Sequence, residues 1–189
     1  MGKLNFKGSA MLNPTPVVLV TSKNKLNKLN IFTVGWLSTV CTKKPIIAMG
    51  IRPERLSYKY ILESGECAVN LPTKNMVKIV DYCGVVSGKR ENKLRHFKLK
   101  LNRGVSISTP SLEKSPIALE CKLISNTPLG THDLFLFEVL NTKVDKNLLD
   151  SNNKIHFEKA NLICYSHGEY YSLNSKPLGY FGYSVRKNR

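Results

Sequence analysis

Short apolar runs separated by turn formers, not long amphipathic stretches, set the pattern of this chain. Residues 17–21 are apolar and β-branched, with Pro14 and Pro16 before them and Lys- and Asn-rich sequence after, which predicts a buried strand. Residues 31–40 predict a second strand broken at Gly35, and residues 45–51 a third, ended by Pro53. Over 57–63 the apolar positions change to helical spacing, with Ser57 where an N-cap belongs and Gly65 where a helix stops. A strand at 67–71 closes at Pro72, and a second helix is predicted at 76–82 with its stop at Gly84.

Residues 87–115 are basic and rich in turn formers, which predicts a long functional loop with a short helix near 93–97. Residues 117–124 and 134–144 alternate apolar with polar, as long neighbouring strands of an antiparallel sheet do. A polar turn at 147–154 precedes strands at 160–165 and 169–173, on either side of His167-Gly168. Many short strands with two inserted helices predict a mainly β protein, an antiparallel barrel. Helices do not alternate with strands throughout, which disfavours a parallel doubly wound sheet. Without a repeat, a low-complexity segment or a linker, residues 1–189 read as a single domain.

Composition narrows the class. Apolar residues make up 42% of the chain, enough for a folded globular core. No run is long enough to cross a bilayer, and residues 1–7 lack a signal-peptide core and a myristoylation pattern, so a cytoplasmic location is the expectation. The five cysteines are scattered, without C-x-x-C or a nearby His pair. That argues for reduced, partly buried thiols and against a disulfide framework or a zinc site. Cys83, beside Gly84, is the one considered for a redox role.

Lys and Arg number 29 against 13 acids, a net charge of +16. Such an excess implies an anionic partner: nucleic acid, a phosphorylated cofactor or an acidic protein. The charge is spread along the chain, densest at 23–28, 89–100 and 186–189.

Several residues have chemistry suited to an anionic, planar ligand. Arg52 to Ser57 places two arginines and a hydroxyl at a helix start, where free N–H groups and the dipole favour an anion. An ordinary N-cap with surface arginines is the plainer account from local sequence. Trp36 offers a ring face and one donor, although a strand Trp more often packs in the core. Asn30 can meet the polar edge of a heterocycle, or it can simply be a turn residue. Lys93 and His132 are cationic candidates, against the usual solvated lysine and structural histidine. His96, His156 and His167 lack a constellation, and no nucleotide-binding glycine motif, zinc-protease motif or serine-hydrolase elbow is present.

The order of motifs resembles the flavin-reductase-like FMN-binding split-barrel family, and within it the flavoredoxin-like branch. The landmarks run from Pro14-Thr-Pro16 through Thr21-Ser22, Asn30 to Trp36, Arg55-Leu-Ser57, Ser64-Gly65-Glu66 and Asn70-Leu71-Pro72. They continue through Cys83-Gly84, Ser87-Gly88, Lys93, Pro116 to Cys121, Gly130-Thr-His132-Asp-Leu-Phe135 and Leu178 to Gly182. The resemblance implies a six-stranded antiparallel Greek-key barrel with inserted helices. It also implies a homodimer and noncovalent FMN near the dimer interface.

By position it implies FMN contacts at Asn30, Trp36, Ser57, Lys93 and His132, with Thr33 and Arg55 added. Ser57 and Arg55 would serve the phosphate, Trp36 the ring system, Asn30 a polar edge, and Lys93 and His132 the phosphate or ring oxygens. Flavin reductases that feed monooxygenases tend to carry Gly-Asp-His, whereas this chain reads Gly130-Thr131-His132-Asp133. The resemblance therefore implies electron transfer through tightly held FMN ahead of turnover with NADH or NADPH; with the basic net charge, an acidic redox protein is the expected partner. A cofactor-free dimeric split-barrel scaffold is the second reading, and a basic nucleic-acid-binding module the third.

Overall fold

The strand interrupted at Gly35 decides the architecture. The computed structural model describes residues 2–173 and 176–185, so the basic run 186–189 lies outside the described residues. Five strands come first: β1 (Thr15–Pro16), β2 (Val18–Lys23), β3 (Leu29–Val34), β4 (Leu37–Cys41) and β5 (Ile46–Ile51). Helix α1 (Leu56–Ser64), strand β6 (Glu66–Leu71) and helices α2 (Val77–Val85) and α3 (Lys93–His96) follow. The remainder comprises β7 (Leu101–Asn102), β8 (Ser111–Leu112), β9 (Ile117–Pro128), β10 (Asp133–Val144), β11 (Ile163–Ser166) and β12 (Glu169–Ser172).

Seven strands pair in the order β3-β2-β6-β9-β10-β5-β4, every neighbour antiparallel. The two outermost strands, β3 and β4, are consecutive in the chain and joined only by Gly35 and Trp36. The Gly50 N–H donates to the Trp36 carbonyl at 2.8 Å, which carries the β4–β5 pairing up to that break. The sheet's two edges are thus tied by one two-residue link, which closes the barrel and leaves no free edge there. Counted as one interrupted strand, β3 and β4 leave the six strands that the resemblance implies.

Pleating sorts the side chains. Ile47, Met49 and Ile51 of β5 face the interior with Val18, Val20, Phe32, Val69 and Phe135, while Ala48 and Gly50 face outward. Strands β2 and β3 are buried on both faces, because α2 and α3 cover their outer side. There Leu19 and Ile31 pack with Met76, Val80, Cys83 and Leu94. Burial on both sides is why residues 17–21 read as a continuous apolar run and not an alternating one. Strands β1, β11 and β12 form a separate small sheet.

Gly65 ends α1 in the left-handed conformation (φ 70°), its N–H bonded to the Ile61 carbonyl at 2.8 Å. Two expected helix signals are corrected. The N-cap of α1 is Arg55, not Ser57, and no side chain caps that end. Ser57 is the second residue of the helix, its hydroxyl already bonded to Ser22 and Asn30. Helix α2 runs past Gly84 to Val85; Gly84 packs against Thr33, where a Cβ would make an ordinary contact at 3.5 Å.

The long loop is pinned by two carboxylates. Fully buried Glu120 accepts from the N–H groups of Val105 and Ser106 at 2.9 and 2.6 Å and pairs with Lys143 at 2.9 Å. Glu66 accepts from Ser108 and Thr109. Among the described residues, no helix is long and apolar enough to cross a membrane.

Candidate functional site

Barrel closure puts Trp36 at the surface. As part of the two-residue link it is 40% exposed, its ring edge-on to Tyr165 with centroids 6.3 Å apart, so core packing does not account for it. Beside it opens a cavity of about 270 Å³. Thr33 from the end of β3, Trp36, Gly50, Arg52 from just beyond β5, Arg55 and His132 line it. Thr33 donates its hydroxyl to the Val80 carbonyl at 2.5 Å, which fixes its rotamer against α2.

Three cationic or protonatable groups therefore face one small space. Arg52 pairs with Glu54 at 3.2 Å, both well exposed. Arg55 stands at the uncapped start of α1, where the helix dipole adds positive potential. Burial, and then the nearby Arg52 guanidinium, hold the His132 imidazole below its ordinary pKa. Its Nδ1 lies 3.0 Å from the Thr131 hydroxyl. At neutral pH the ring is thus uncharged, and an anion beside it would favour its protonation.

Asn30, Ser57 and Lys93 do not line that cavity. They are buried in the interior: Asn30 and Ser57 are bonded to each other, and Lys93 lies near enough to Arg55 to feel its charge. Ser57 is fully buried, taking a hydrogen bond from the Asn30 amide at 2.9 Å and one from the Ser22 hydroxyl at 2.8 Å. Gly88 packs against the same amide so closely that a Cβ would fall 2.2 Å from the Asn30 Oδ1. Lys93, 2% exposed, donates to the carbonyls of Cys83 and Val86 at 3.1 and 3.0 Å. Burial lowers its pKa, and the Arg55 guanidinium is near enough to push the same way. Of the seven sequence candidates, the structure brings Thr33, Trp36, Arg55 and His132 to the cavity and seats the other three behind Arg55.

A profile of the flavin reductase like domain family matches residues 10–183. The chain belongs to that family. In structure this family member is similar to the flavoredoxin of Desulfovibrio vulgaris (Miyazaki F). That similarity has 26% identity and TM-score 0.89, over 97% of this chain and all of the other. A flavoredoxin from Methanosarcina acetivorans shares the fold at 24% identity and TM-score 0.87, over 98% of this chain and all of that one. Among sequences, an uncharacterized protein of Archaeoglobus fulgidus is 27% identical over 147 residues, 78% of this chain and 82% of its own length. The match spans the whole barrel, so the split-barrel fold is a property of the family and of this member.

Other groups of this flavin-reductase-like domain resolve differently from expectation. Arg52 lines the cavity although the resemblance did not single it out; its position in Arg52-Pro-Glu-Arg55 was the available signal. Ser22 supports Ser57, and Asp133, 4% exposed, takes the Tyr58 hydroxyl at 2.6 Å. That bond ties α1, which carries Arg55, to the strand that follows His132. Burial pushes the Cys83 thiol up to about 11, where it is protonated and unreactive at neutral pH. His156 does have a constellation, between Glu158 at 2.7 Å and Asp150 at 3.0 Å.

Proposed function

We propose that this flavin-reductase-like domain binds FMN noncovalently at the Trp36 cavity and serves as a redox protein, passing electrons through the bound cofactor. The observation that carries the reading is the convergence of Arg52, Arg55 and His132 on one cavity walled by the chain's only tryptophan. Forked guanidiniums and an uncapped helix start suit a phosphate, and an exposed indole suits a flat ring. The donor set therefore fits the cofactor. A cavity of about 270 Å³ lies just below the usual range of small-molecule sites, which disfavours a dinucleotide. It also suits a site completed by a second copy of the chain, and a homodimer with FMN near its interface is part of the proposal.

In this reading Arg55, with Ser57 and Lys93 behind it, holds the phosphate, and Trp36 stands against the ring system. Arg52 supplies positive charge and His132 a hydrogen bond to oxygens, while Thr33 and Asn30 fix the walls. When bound, FMN supplies the capacity to accept and release electrons, and nearby cations ease its reduction. Electron transfer is the primary role, and NADH- or NADPH-dependent flavin reduction the alternative within it. The flavoredoxin name of the D. vulgaris relative supports the same side.

A visible spectrum tests the proposal. The purified protein should be yellow, or become so with FMN, and bleach with dithionite. A colourless protein that cannot be reconstituted with FMN overturns it. Rapid anaerobic bleaching by NADH or NADPH would move the role from carrier to reductase.

A further inference from the structure

Two of the densest basic runs of the sequence, 23–28 and 89–100, meet across one groove that the flavin site does not use. The groove, about 510 Å³, lies between the β2–β3 turn and the segment from α3 to β7. Asn27 and Leu29 line it from the first side, and Arg95 and Lys98 from the second. Lys28 and Lys100, each next in sequence to residues that line it, and Lys25 of the same turn are exposed. Among the described residues, none of these five cations is held in an ion pair.

The turn is prebuilt. The Asn24 side chain accepts from the N–H groups of Leu26 and Lys28 at 3.0 and 2.8 Å, and Asn27 sits at φ 60°. On the opposite wall, the Asn92 side chain caps α3 through the Arg95 N–H at 3.0 Å. The floor between the charges is aliphatic: Leu29, Leu94, Leu99 and Leu101; Leu26, in the same turn as Asn27, is 76% exposed.

We propose that this groove docks an acidic protein partner, whose carboxylates meet the cationic rim and whose apolar residues cover the leucine floor. An apolar centre within a charged rim is how protein interfaces are built. Nucleic acid is a poorer occupant, because no aromatic side chain lines the groove to stack bases. A second copy of this chain is poorer still: with 13 acids against 29 bases it offers little matching charge. The groove lies on the helix whose Lys93 backs the proposed flavin site. An electron-partner role for the docked protein rests on the flavin reading, whereas docking itself does not.

The test is fluorescence anisotropy of a labelled acidic peptide with spaced leucines, titrated with the full chain as purified, both before and after incubation with FMN. A labelled single-stranded oligonucleotide of equal charge is titrated alongside. The peptide should bind more tightly than the oligonucleotide. Arg95→Glu with Lys98→Glu should weaken the peptide about tenfold or more, as reversal of rim charges does. Leu26→Ser should weaken it about threefold through lost apolar contact. Reversing Lys154 and Lys159, on another face, should change it by less than about twofold.

If the double reversal does not fold by circular dichroism, Arg95→Gln with Lys98→Gln takes its place. No peptide binding, tighter oligonucleotide binding, or equal loss in the Lys154/Lys159 control overturns the proposal. Peptide binding that survives in a protein unable to take up FMN would sink the flavin reading and leave the docking surface standing.

Discussion

The rim of the Trp36 cavity and the polar cluster behind it contain similar residue types under opposite conditions. At the rim, Arg52 and Trp36 are exposed and Arg55 and His132 half-buried, with hydrogen-bonding capacity and ring surface still available to a ligand. Behind it, Ser22, Asn30, Ser57 and Lys93 are at most 5% exposed, and every one is bonded within the fold. A polar group left unpartnered in the interior costs stability, whereas one at the surface costs little and remains free to bind. On the proposed reading the rim recognises the cofactor, and the interior cluster positions the rim. Substitutions in the two regions should separate stability from affinity.

The largest effect is expected in the interior. Lys93→Met removes the donor from two carbonyls, those of Cys83 and Val86, and should lower the urea-unfolding free energy by about 2–4 kcal/mol. An unchanged midpoint would mean that Lys93 is not anchored as the structure has it. Next comes the rim. Arg55→Gln should weaken FMN binding by about 1.5–3 kcal/mol, the range for hydrogen bonds to charged groups, while leaving the unfolding midpoint in place. Equal losses in both measurements would erase the distinction between the regions.

Trp36→Leu should weaken FMN by about 1 kcal/mol through lost ring contact, with stability within about 0.5 kcal/mol of the parent. A cofactor titration paired with thermal melts separates the two.

The smallest effect is a pH dependence. Folding lowers the His132 pKa, so the unfolded chain takes up the proton first. Stability should fall as pH drops below the ordinary histidine range, then level off below the folded-state value. An adjacent bound anion favours the imidazolium, so FMN affinity should rise as pH falls through the same window. His132→Asn should flatten both profiles, and a slope that persists in it would assign the effect elsewhere.

Local chemistry explains what was legible in the sequence. Gly65 announced the end of α1 because few other residues take φ 70° there, and the Gly35 break was visible as a flaw in an apolar run. That the two halves of this strand lie at opposite ends of the sheet was not visible, because the sheet order depends on pairings distant in sequence, such as Ile46 with Glu138. Ser57 read as a cap because local sequence cannot show Ser22 and Asn30 competing for its hydroxyl. The burial of Lys93 was equally hidden, since its two carbonyl partners come from the end of α2 and the segment just after it. His156 read as isolated because its partners, Asp150 and Glu158, converge only through the turns between them.

The central claim is that the cationic rim at the start of α1 reads a phosphate beside a ring held at Trp36. Parallel titrations of the flavin-free protein with FMN and with riboflavin, which lacks the phosphate, test it most directly. FMN should bind at least about tenfold more tightly, and Arg52→Gln with Arg55→Gln should remove that preference. Equal affinity of the parent protein for both flavins would contradict the account.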